Sequence, residues 1–282
     1  MNDDEQPGRG RRIVRAIPAA LIALAFVLPT YWMVISALRP EHDIFAYLQP
    51  LSVQAVVPRA WTLNNFQGLI DAHFLRATWN SILVAFLTTA VGLLISIPAA
   101  FAFAVLRFPL RNALFAVVVI AFSIPFDAIA IPLAGLFREW GLDNSYAGLV
   151  LPGLGNGFAI FLLRQFFAAV PPSLSEAARL DGASWWRIVW RIYVPLSRPA
   201  LVGAAMVLFI YQWQAYLWPL LEATDPDKQL APITLAGLST LYQVKQGEIF
   251  AGAVILAVIP GVLLFVCQRF FTQSISTSGT NG

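Results

Sequence analysis

Apolar residues fall in long uninterrupted blocks along this chain, with polar residues gathered between the blocks. Each block is close to the length of about 20 residues that an α-helix needs to cross the hydrocarbon core of a bilayer. A surface helix of a soluble protein instead shows one apolar stripe that recurs about every 3.6 residues. The pattern therefore predicts six transmembrane helices, at about residues 14–37, 79–106, 112–136, 146–163, 200–221 and 249–267.

The composition agrees with a lipid bilayer as the main solvent. Of the 282 residues, 59% are hydrophobic and 12% are charged, whereas roughly a quarter of the residues of a soluble domain are charged. The single cysteine, Cys267, excludes an intrachain disulfide and a cysteine metal cluster. With no internal repeat or separate soluble domain, we predict an all-α membrane protein with one transmembrane domain over residues 1–282.

The placement of positive charge predicts the orientation of the helices, because Lys and Arg are retained on the cytoplasmic side of short loops. With the N-terminus inside, two thirds of the 18 Lys and Arg fall on the inner side: Arg9, Arg11, Arg12, Arg15, Arg107, Arg111, Arg164, Arg179, Arg187, Arg191, Arg198 and Arg269. The others fall outside: Arg39, Arg59, Arg76, Arg138, Lys228 and Lys245. Both termini are therefore predicted to be cytoplasmic. The small net charge of +3 gives no indication of nucleic-acid binding.

The longest inner segment, residues 164–198, carries signals for the start and end of helices. Pro171 and Pro172 interrupt the preceding helix because proline lacks the backbone N–H. The run from Ser173 to Glu176 fits a capping box, in which serine and glutamate satisfy each other's backbone donors. A short helix is predicted to begin there.

A second short helix is predicted to follow a turn at Gly182. Glycine adopts the left-handed conformation that commonly ends a helix, and Ser184 suits the N-cap of a helix that runs toward Pro195. The segment is then a helix–turn–helix with one apolar face and one face rich in arginine. From the residues alone, such a segment could either dock on a protein or lie on lipid.

The same segment resembles the EAA motif of permeases from binding-protein-dependent ABC importers. The resemblance rests on Glu176-Ala177-Ala178, on Gly182 six positions after the glutamate, and on Ile192 and Pro195. Asp181 before Gly182 is similar to the carbohydrate-importer branch, the MalG-like subunits. Val194 departs from the usual leucine by a small change of volume. Further stretches that resemble this branch are residues 79–81, 131–133, 141–148 and 213–219, although Gln214 stands where the family often has asparagine.

The resemblance implies the type I importer architecture and a transport subunit in the inner membrane of a bacterial cell. It implies a coupling segment that docks on a cytoplasmic ATPase through Glu176, Ala177, Ala178, Asp181, Gly182, Ile192 and Pro195. It also implies the partners: a second homologous permease, a dimeric ATP-binding subunit and an extracytoplasmic sugar-binding (lipo)protein. ATP and Mg²⁺ are then bound by the ATPase, and this chain binds no cofactor.

Polar and aromatic side chains within the spans are candidates for lining a sugar pathway, because sugars are held by stacked rings and hydrogen-bonding amides. The candidates are Asn80, Asp127, Trp213, Gln214, Tyr216 and Trp218. A structural interpretation stays open beside this one, since aromatic residues also anchor helices at the bilayer interface. Asp127 lies about fifteen residues into the third predicted helix and could pair with Arg138.

Sequence motifs of other function classes are absent. Neither Lys228 nor Lys245 follows a glycine, so no phosphate-binding loop for ATP is present, and His42 and His73 lack the spacing of a metal site. An ion-coupled secondary transporter, the main alternative, is expected to show inverted repeats and several buried ionisable groups. A membrane-embedded enzyme needs a nucleophile, a metal cluster or an acid–base pair within the spans. We therefore predict a non-catalytic permease of an ATP-driven sugar importer.

Overall fold

The computed structural model describes residues 9–71, 73–239 and 244–278, and the backbone within these ranges is predominantly helical. Both chain termini, for which the sequence predicts a cytoplasmic location, lie outside the described residues. The helices are α1 (Arg9–Ala37), α2 (Asn64–Asp71), α3 (Phe74–Val105), α4 (Arg111–Ser123), α5 (Asp127–Glu139), α6 (Tyr146–Leu154), α7 (Gly157–Ala168), α8 (Pro172–Leu180), α9 (Trp185–Ile188), α10 (Val194–Leu196), α11 (Arg198–Trp213), α12 (Leu217–Glu222), α13 (Ala231–Gly237) and α14 (Gln246–Ser278).

Within the described residues, three helices are long and apolar enough to cross a bilayer unaided: α1, α3 and α14. Three bent pairs of helices reach the same length and composition together. They are α4 with α5, bent by 91°, α6 with α7, bent by 41°, and residues 185–196 with α11, bent by 85°. Counting each pair as one crossing gives up to six spans, in agreement with the six predicted from the sequence.

The third predicted span is not one helix but two, and Pro125 accounts for the break. Ile124 is extended (φ −76°, ψ 123°), because the residue before a proline is disfavoured in the helical region. The chain leaves α4 at Ser123 and resumes as α5 at Asp127. Asp127 therefore begins a half-helix rather than lying in the interior of a continuous one.

The fifth predicted span, 200–221, is also interrupted. It ends as α11 at Trp213 and resumes as α12 at Leu217. Pro219 lacks the N–H that would bond to the carbonyl of Ala215 in a continuous helix. The pathway candidates from Trp213 to Trp218 therefore lie at the end of α11, in the break and in α12.

The chain divides into two compact units. Of the described residues, one unit holds those up to His73 together with those between Leu235 and Ile255, and the other holds those from Phe74 to Thr234 together with those from Leu256 onward. In the first unit, α1 continues into Arg39, whose side chain is 1% exposed. Its Nη2 donates to the carbonyls of Gln54 and Ala55 at 2.7 and 2.8 Å. Burial lowers the pKa of this guanidinium, so this arginine, predicted to lie on the outer side, is part of the protein interior.

The second unit has two apolar cores, spaced along α3. The two cores are named after the sides of the membrane predicted from the sequence, and the outer core contains Val84, Ala130, Phe137, Leu149, Trp218 and Leu230. The inner core contains Ile97, Phe101, Leu163, Phe167, Ile188, Val189 and Tyr193. Val84 and Ile97 belong to different cores and lie about 20 Å apart along the axis of α3, at about 1.5 Å per residue. The inner core holds the segment between α7 and α11, and the outer core holds the segment between α11 and α13.

Candidate functional site

The first helix of the 164–198 segment ends in a tight turn at Gly182, which has φ +77°. The N–H of Gly182 donates to the carbonyl of Arg179 at 3.0 Å, and the N–H of Ala183 donates to that of Ala178 at 2.9 Å. These are the two bonds of a Schellman motif, which closes a helix through a left-handed residue. The predicted conformation of Gly182 is therefore confirmed. A Cβ on Gly182 would have no neighbour within 4 Å.

Arg179 holds the two arms of this turn together. Its Nη1 donates to the carbonyl of Ala183 at 2.9 Å, and its guanidinium lies 4.9 Å from the centre of the Trp185 ring. A guanidinium over an indole face is a favourable cation–π contact. Ser184 accepts from the N–H of Arg187 at 3.3 Å, so the N-cap predicted for the second helix is confirmed. The turn is therefore set by several local contacts.

The second helix of the segment is fixed to the inner core. It begins as α9, passes through a π-helical turn at Val189–Tyr193 and ends as α10. Tyr193 is 1% exposed and packs edge-on against Phe101 of α3 and Phe167 of α7, with ring centres 4.9 and 5.6 Å apart. This helix is therefore packed directly against α3 and α7.

The seven coupling candidates occupy two different environments. Four of them lie exposed around the Gly182 turn: Glu176, Ala177, Asp181 and Gly182. The other three are half-buried: Ala178, Ile192 and Pro195. Ala178 and Ile192 pack against the inner core. The exposed group can meet another molecule, whereas the half-buried group fixes the segment to its own subunit.

An exposed leucine at the same tip was not singled out from the sequence. Leu180 closes α8 and is 90% exposed, and Trp186 on the next helix is 62% exposed. Large apolar side chains in such positions mark surfaces that meet a partner or lipid. In the sequence, the feature that could have indicated this exposed residue is that Leu180 lies inside the EAA-like run, immediately before Asp181.

The predicted capping box at the start of α8 is wrong. The helix begins two residues earlier than the box requires, at Pro172, with Pro171 rather than Ser173 as N-cap and no side-chain cap. Proline is favoured at the first helical position because a backbone N–H at that position has no partner within the helix, so its absence costs no hydrogen bond. The hydroxyl of Ser175 instead donates to the carbonyl of Pro172 at 2.8 Å, and Glu176 is left exposed.

Three of the six pathway candidates are buried by contacts within this chain. Asn80 is 1% exposed, and its Nδ2 donates to the carbonyls of Asp227 and Gln229, both at 3.0 Å. Trp213 donates from Nε1 to the carbonyl of Leu256 at 3.1 Å. Trp218 belongs to the outer core and donates from Nε1 to the carbonyl of Gly148 at 3.1 Å. These contacts give all three residues a structural role, and their contact with substrate stays a prediction.

The other three pathway candidates are exposed within this chain: Asp127, Gln214 and Tyr216. Tyr211, one turn before Gln214 and 61% exposed, is close enough to interact with the charge of Asp127. A pairing of Asp127 with Arg138 is ruled out, because the two residues stand at opposite ends of α5, about 16 Å apart at about 1.5 Å per residue. Asp127, Tyr211 and Gln214 are therefore better placed to meet a solute than the buried tryptophans.

A buried carboxyl group at the end of α12 was missed by sequence reasoning. Glu222 is 1% exposed, and its Oε2 has no hydrogen-bond partner within the described residues. Burial raises the pKa of Glu222, the charge of Asp143 raises it further, and Arg138 opposes the shift. The only sequence feature that indicated a buried carboxyl group was the position of Glu222 directly after the apolar run of α12.

We expect Glu222→Gln to be more stable than the wild type at neutral pH. The pKa of Glu222 is higher in the folded than in the unfolded protein. Its contribution to stability is therefore fully present below the unfolded-state pKa and is lost as the pH rises through the folded-state pKa. The gain should be about 1–3 kcal/mol, because glutamine occupies the same buried position without the charge whose desolvation the carboxylate has to bear. Thermal unfolding in detergent, measured from about pH 4.5 upward, should show a decline for the wild type that the variant lacks. Glu139→Gln, an exposed site, is the control, and equal pH profiles for wild type and Glu222→Gln would contradict the expectation.

Comparisons with known proteins agree with this architecture. Residues 92–277 match the family described as "Binding-protein-dependent transport system inner membrane component". The lactose transport system permease protein LacG of Rhizobium radiobacter is 31% identical over 264 residues, covering 93% of this chain and 94% of that protein. The sn-glycerol-3-phosphate transport system permease protein UgpE of Escherichia coli is 32% identical over 271 residues, covering 92% and 94%.

A similar fold is present in the crystal structure of a bacterial ABC transporter involved in the import of the acidic polysaccharide alginate. The TM-score is 0.78 at 23% identity, and the match covers 96% of this chain and 100% of that chain. The family match and this fold give no support to the ion-coupled alternative. The chain belongs to the inner membrane components of binding-protein-dependent transport systems and has the fold of an ABC importer's transmembrane subunit.

Proposed function

We propose that this chain is a permease subunit of an ATP-driven sugar importer and forms half of its translocation pathway. The observation that carries the proposal is the construction of the 164–198 segment. Its tip exposes Glu176, Asp181 and Leu180, while its second helix is fixed to α3 and α7 through Tyr193. Such a segment can convert a push on its tip into a movement of the membrane-crossing helices.

The proposed partners follow from the parts that an importer needs and that this sequence lacks. The sequence has no phosphate-binding loop, so ATP and Mg²⁺ are bound and ATP is hydrolysed by a dimeric cytoplasmic subunit that seats the tip. A second homologous permease supplies the other half of the pathway. An extracytoplasmic binding protein delivers the solute. In support, a bacterial alginate ABC transporter of similar fold was crystallised in complex with a periplasmic protein that holds an alginate pentasaccharide.

The proposed substrate is an uncharged carbohydrate. Relatives of similar identity are named for lactose and for sn-glycerol-3-phosphate, so relatedness alone does not decide between a neutral and an anionic solute. Asp127 is exposed and close to Tyr211, and its carboxylate would repel a phosphate. Tyr211, Gln214 and Tyr216 offer the aromatic faces and the amide that suit a sugar.

Reconstituted transport tests the proposed division of labour. The chain alone in proteoliposomes should hydrolyse no more ATP than empty vesicles, and sugar uptake should appear only with the ATPase, the second permease and the binding protein present. An ATPase variant without hydrolysis should abolish uptake, and an ionophore should not. Uptake by this chain alone, driven by an ion gradient, would refute the proposal.

The proposed orientation places the Gly182 turn in the cytoplasm and the 223–229 segment outside. In a Cys267→Ser background, Leu180→Cys should react with a membrane-impermeant maleimide only in inside-out vesicles. Pro226→Cys, at an exposed position in the outer segment, should react only in right-side-out vesicles. Reaction of both cysteines from the same side would be incompatible with this orientation.

A further inference from the structure

A basic cleft lies in the connection between α3 and α4, outside the coupling segment and the pathway candidates. It has a volume of about 430 Å³ and is lined by Arg107, Phe108, Leu110, Arg111, Asn112 and Ala113. This connection stands at the same end of the unit as the coupling segment, because Phe101 of α3 packs against Tyr193 with ring centres 4.9 Å apart. The cleft is therefore at the membrane face that the coupling segment also occupies.

The cleft has unbalanced positive charge. Arg107 is exposed and has no hydrogen bond or ion pair within the described part of the chain. Arg111 makes one such bond, from Nη1 to the carbonyl of Leu106 at 3.1 Å, and no lining residue is acidic. The N-cap of α4, Leu110, offers no side-chain cap to the first backbone N–H groups of that helix. Two guanidinium groups beside the positive end of a helix form a site for an anion.

An apolar stripe continues from the cleft along α4. It consists of Leu110, Leu114, Val117 and Ile120, which are 73%, 47%, 61% and 64% exposed. Leu110 precedes the helix, and the spacing of three positions places Leu114, Val117 and Ile120 on one face of α4. A small soluble anion has no apolar part that could contact this stripe, whereas a phospholipid carries acyl chains next to its phosphate.

We infer that this cleft binds the phosphate headgroup of an anionic phospholipid, with the acyl chains along the α4 stripe. Arg107 and Arg111 contact the phosphate oxygens, and the lipid belongs to the leaflet on the side of the coupling segment. Basic pockets between transmembrane helices bind anionic headgroups in this way. The site goes beyond the proposed transport function, because it neither requires nor excludes any particular transported solute.

Native mass spectrometry of the full-length chain with its partner subunits tests the site. Detergent-solubilised protein is exposed to equal amounts of dioleoylphosphatidylglycerol and dioleoylphosphatidylcholine, and retained lipid is counted for each variant. We expect the wild type to retain phosphatidylglycerol preferentially. Arg107→Gln should lower that affinity about 5-fold, and Arg107→Gln with Arg111→Gln about 25-fold. The attraction of one arginine to an anionic headgroup contributes about 1 kcal/mol, which corresponds to about 5-fold in affinity.

Arg107→Gln is the decisive variant, because Arg107 makes no hydrogen bond or ion pair within the described residues, so the variant should fold normally. Arg198→Gln removes a different exposed arginine and should retain phosphatidylglycerol as the wild type does. Equal retention of both lipids by the wild type would overturn the inference, as would undiminished retention by Arg107→Gln. Displacement of phosphatidylglycerol by inorganic phosphate at comparable concentration would assign the cleft to a soluble anion and would also overturn it.

Discussion

Gly182→Val is expected to reduce sugar uptake between about 5-fold and about 100-fold while the subunit still inserts and pairs with its partner permease. Valine at φ +77° is strained by about 1–3 kcal/mol, and a difference of that size changes the population of a competent state by the stated factor. The strain acts where the Schellman motif joins the exposed tip to the anchored helix. Uptake, subunit abundance and the amount of ATPase that co-purifies are the three measurements.

Two matched variants separate strain at the tip from strain in general. Gly141 also has a positive φ, +67°, with no neighbour within 4 Å of an added Cβ, and it lies at the other end of the unit, after α5. Gly141→Val should therefore leave ATPase retention unchanged. Gly182→Asn should retain most of the uptake, because asparagine tolerates the left-handed region. Normal uptake and normal ATPase retention in Gly182→Val would refute the coupling assignment, and loss of the subunit itself would reduce Gly182 to a folding role.

The spans and the Gly182 turn could be predicted because each depends on local physical constraints. A bilayer crossing requires a run of apolar residues of fixed length, and glycine adopts a left-handed turn without the penalty of a Cβ. The breaks at Pro125 and before Pro219 could not be located in the same way. Proline in a membrane helix causes anything from a mild kink to a complete break, and neighbouring packing decides which.

The candidate site was predictable where its residues are close in sequence. The exposed tip lies within the single run from Glu176 to Gly182, so a local pattern was sufficient. The pathway candidates were chosen by residue type, and residue type does not tell a buried tryptophan with a bonded Nε1 from an exposed one. The partners of Asn80, for example, are 147 and 149 positions away in the chain, and no local pattern contains that information.

Asn80→Ala is expected to destabilise the protein by about 3 kcal/mol, at about 1 kcal/mol for each of three lost hydrogen bonds. Its Nδ2 holds the carbonyls of Asp227 and Gln229, and its Oδ1 accepts from the hydroxyl of Tyr146 at 2.8 Å. The neighbouring Ser81 accepts from the N–H of Ala231 at 2.9 Å. Together these two α3 side chains fix the 227–231 segment, which explains why a polar pair begins an apolar span.

Transport measurements on the same variants decide whether Asn80 also contacts the sugar. If Asn80 is structural, uptake by Asn80→Ala should fall in proportion to the amount of folded subunit, with an unchanged KM for the sugar. Tyr146→Phe removes only one of the three bonds and should cost about 1 kcal/mol. Gln214→Ala, at an exposed position, should keep the wild-type unfolding temperature and raise the KM. The opposite pattern, a raised KM with unchanged stability in Asn80→Ala, would return Asn80 to the substrate pathway, because unchanged stability would mean that its hydrogen bonds are not needed to hold the 227–231 segment.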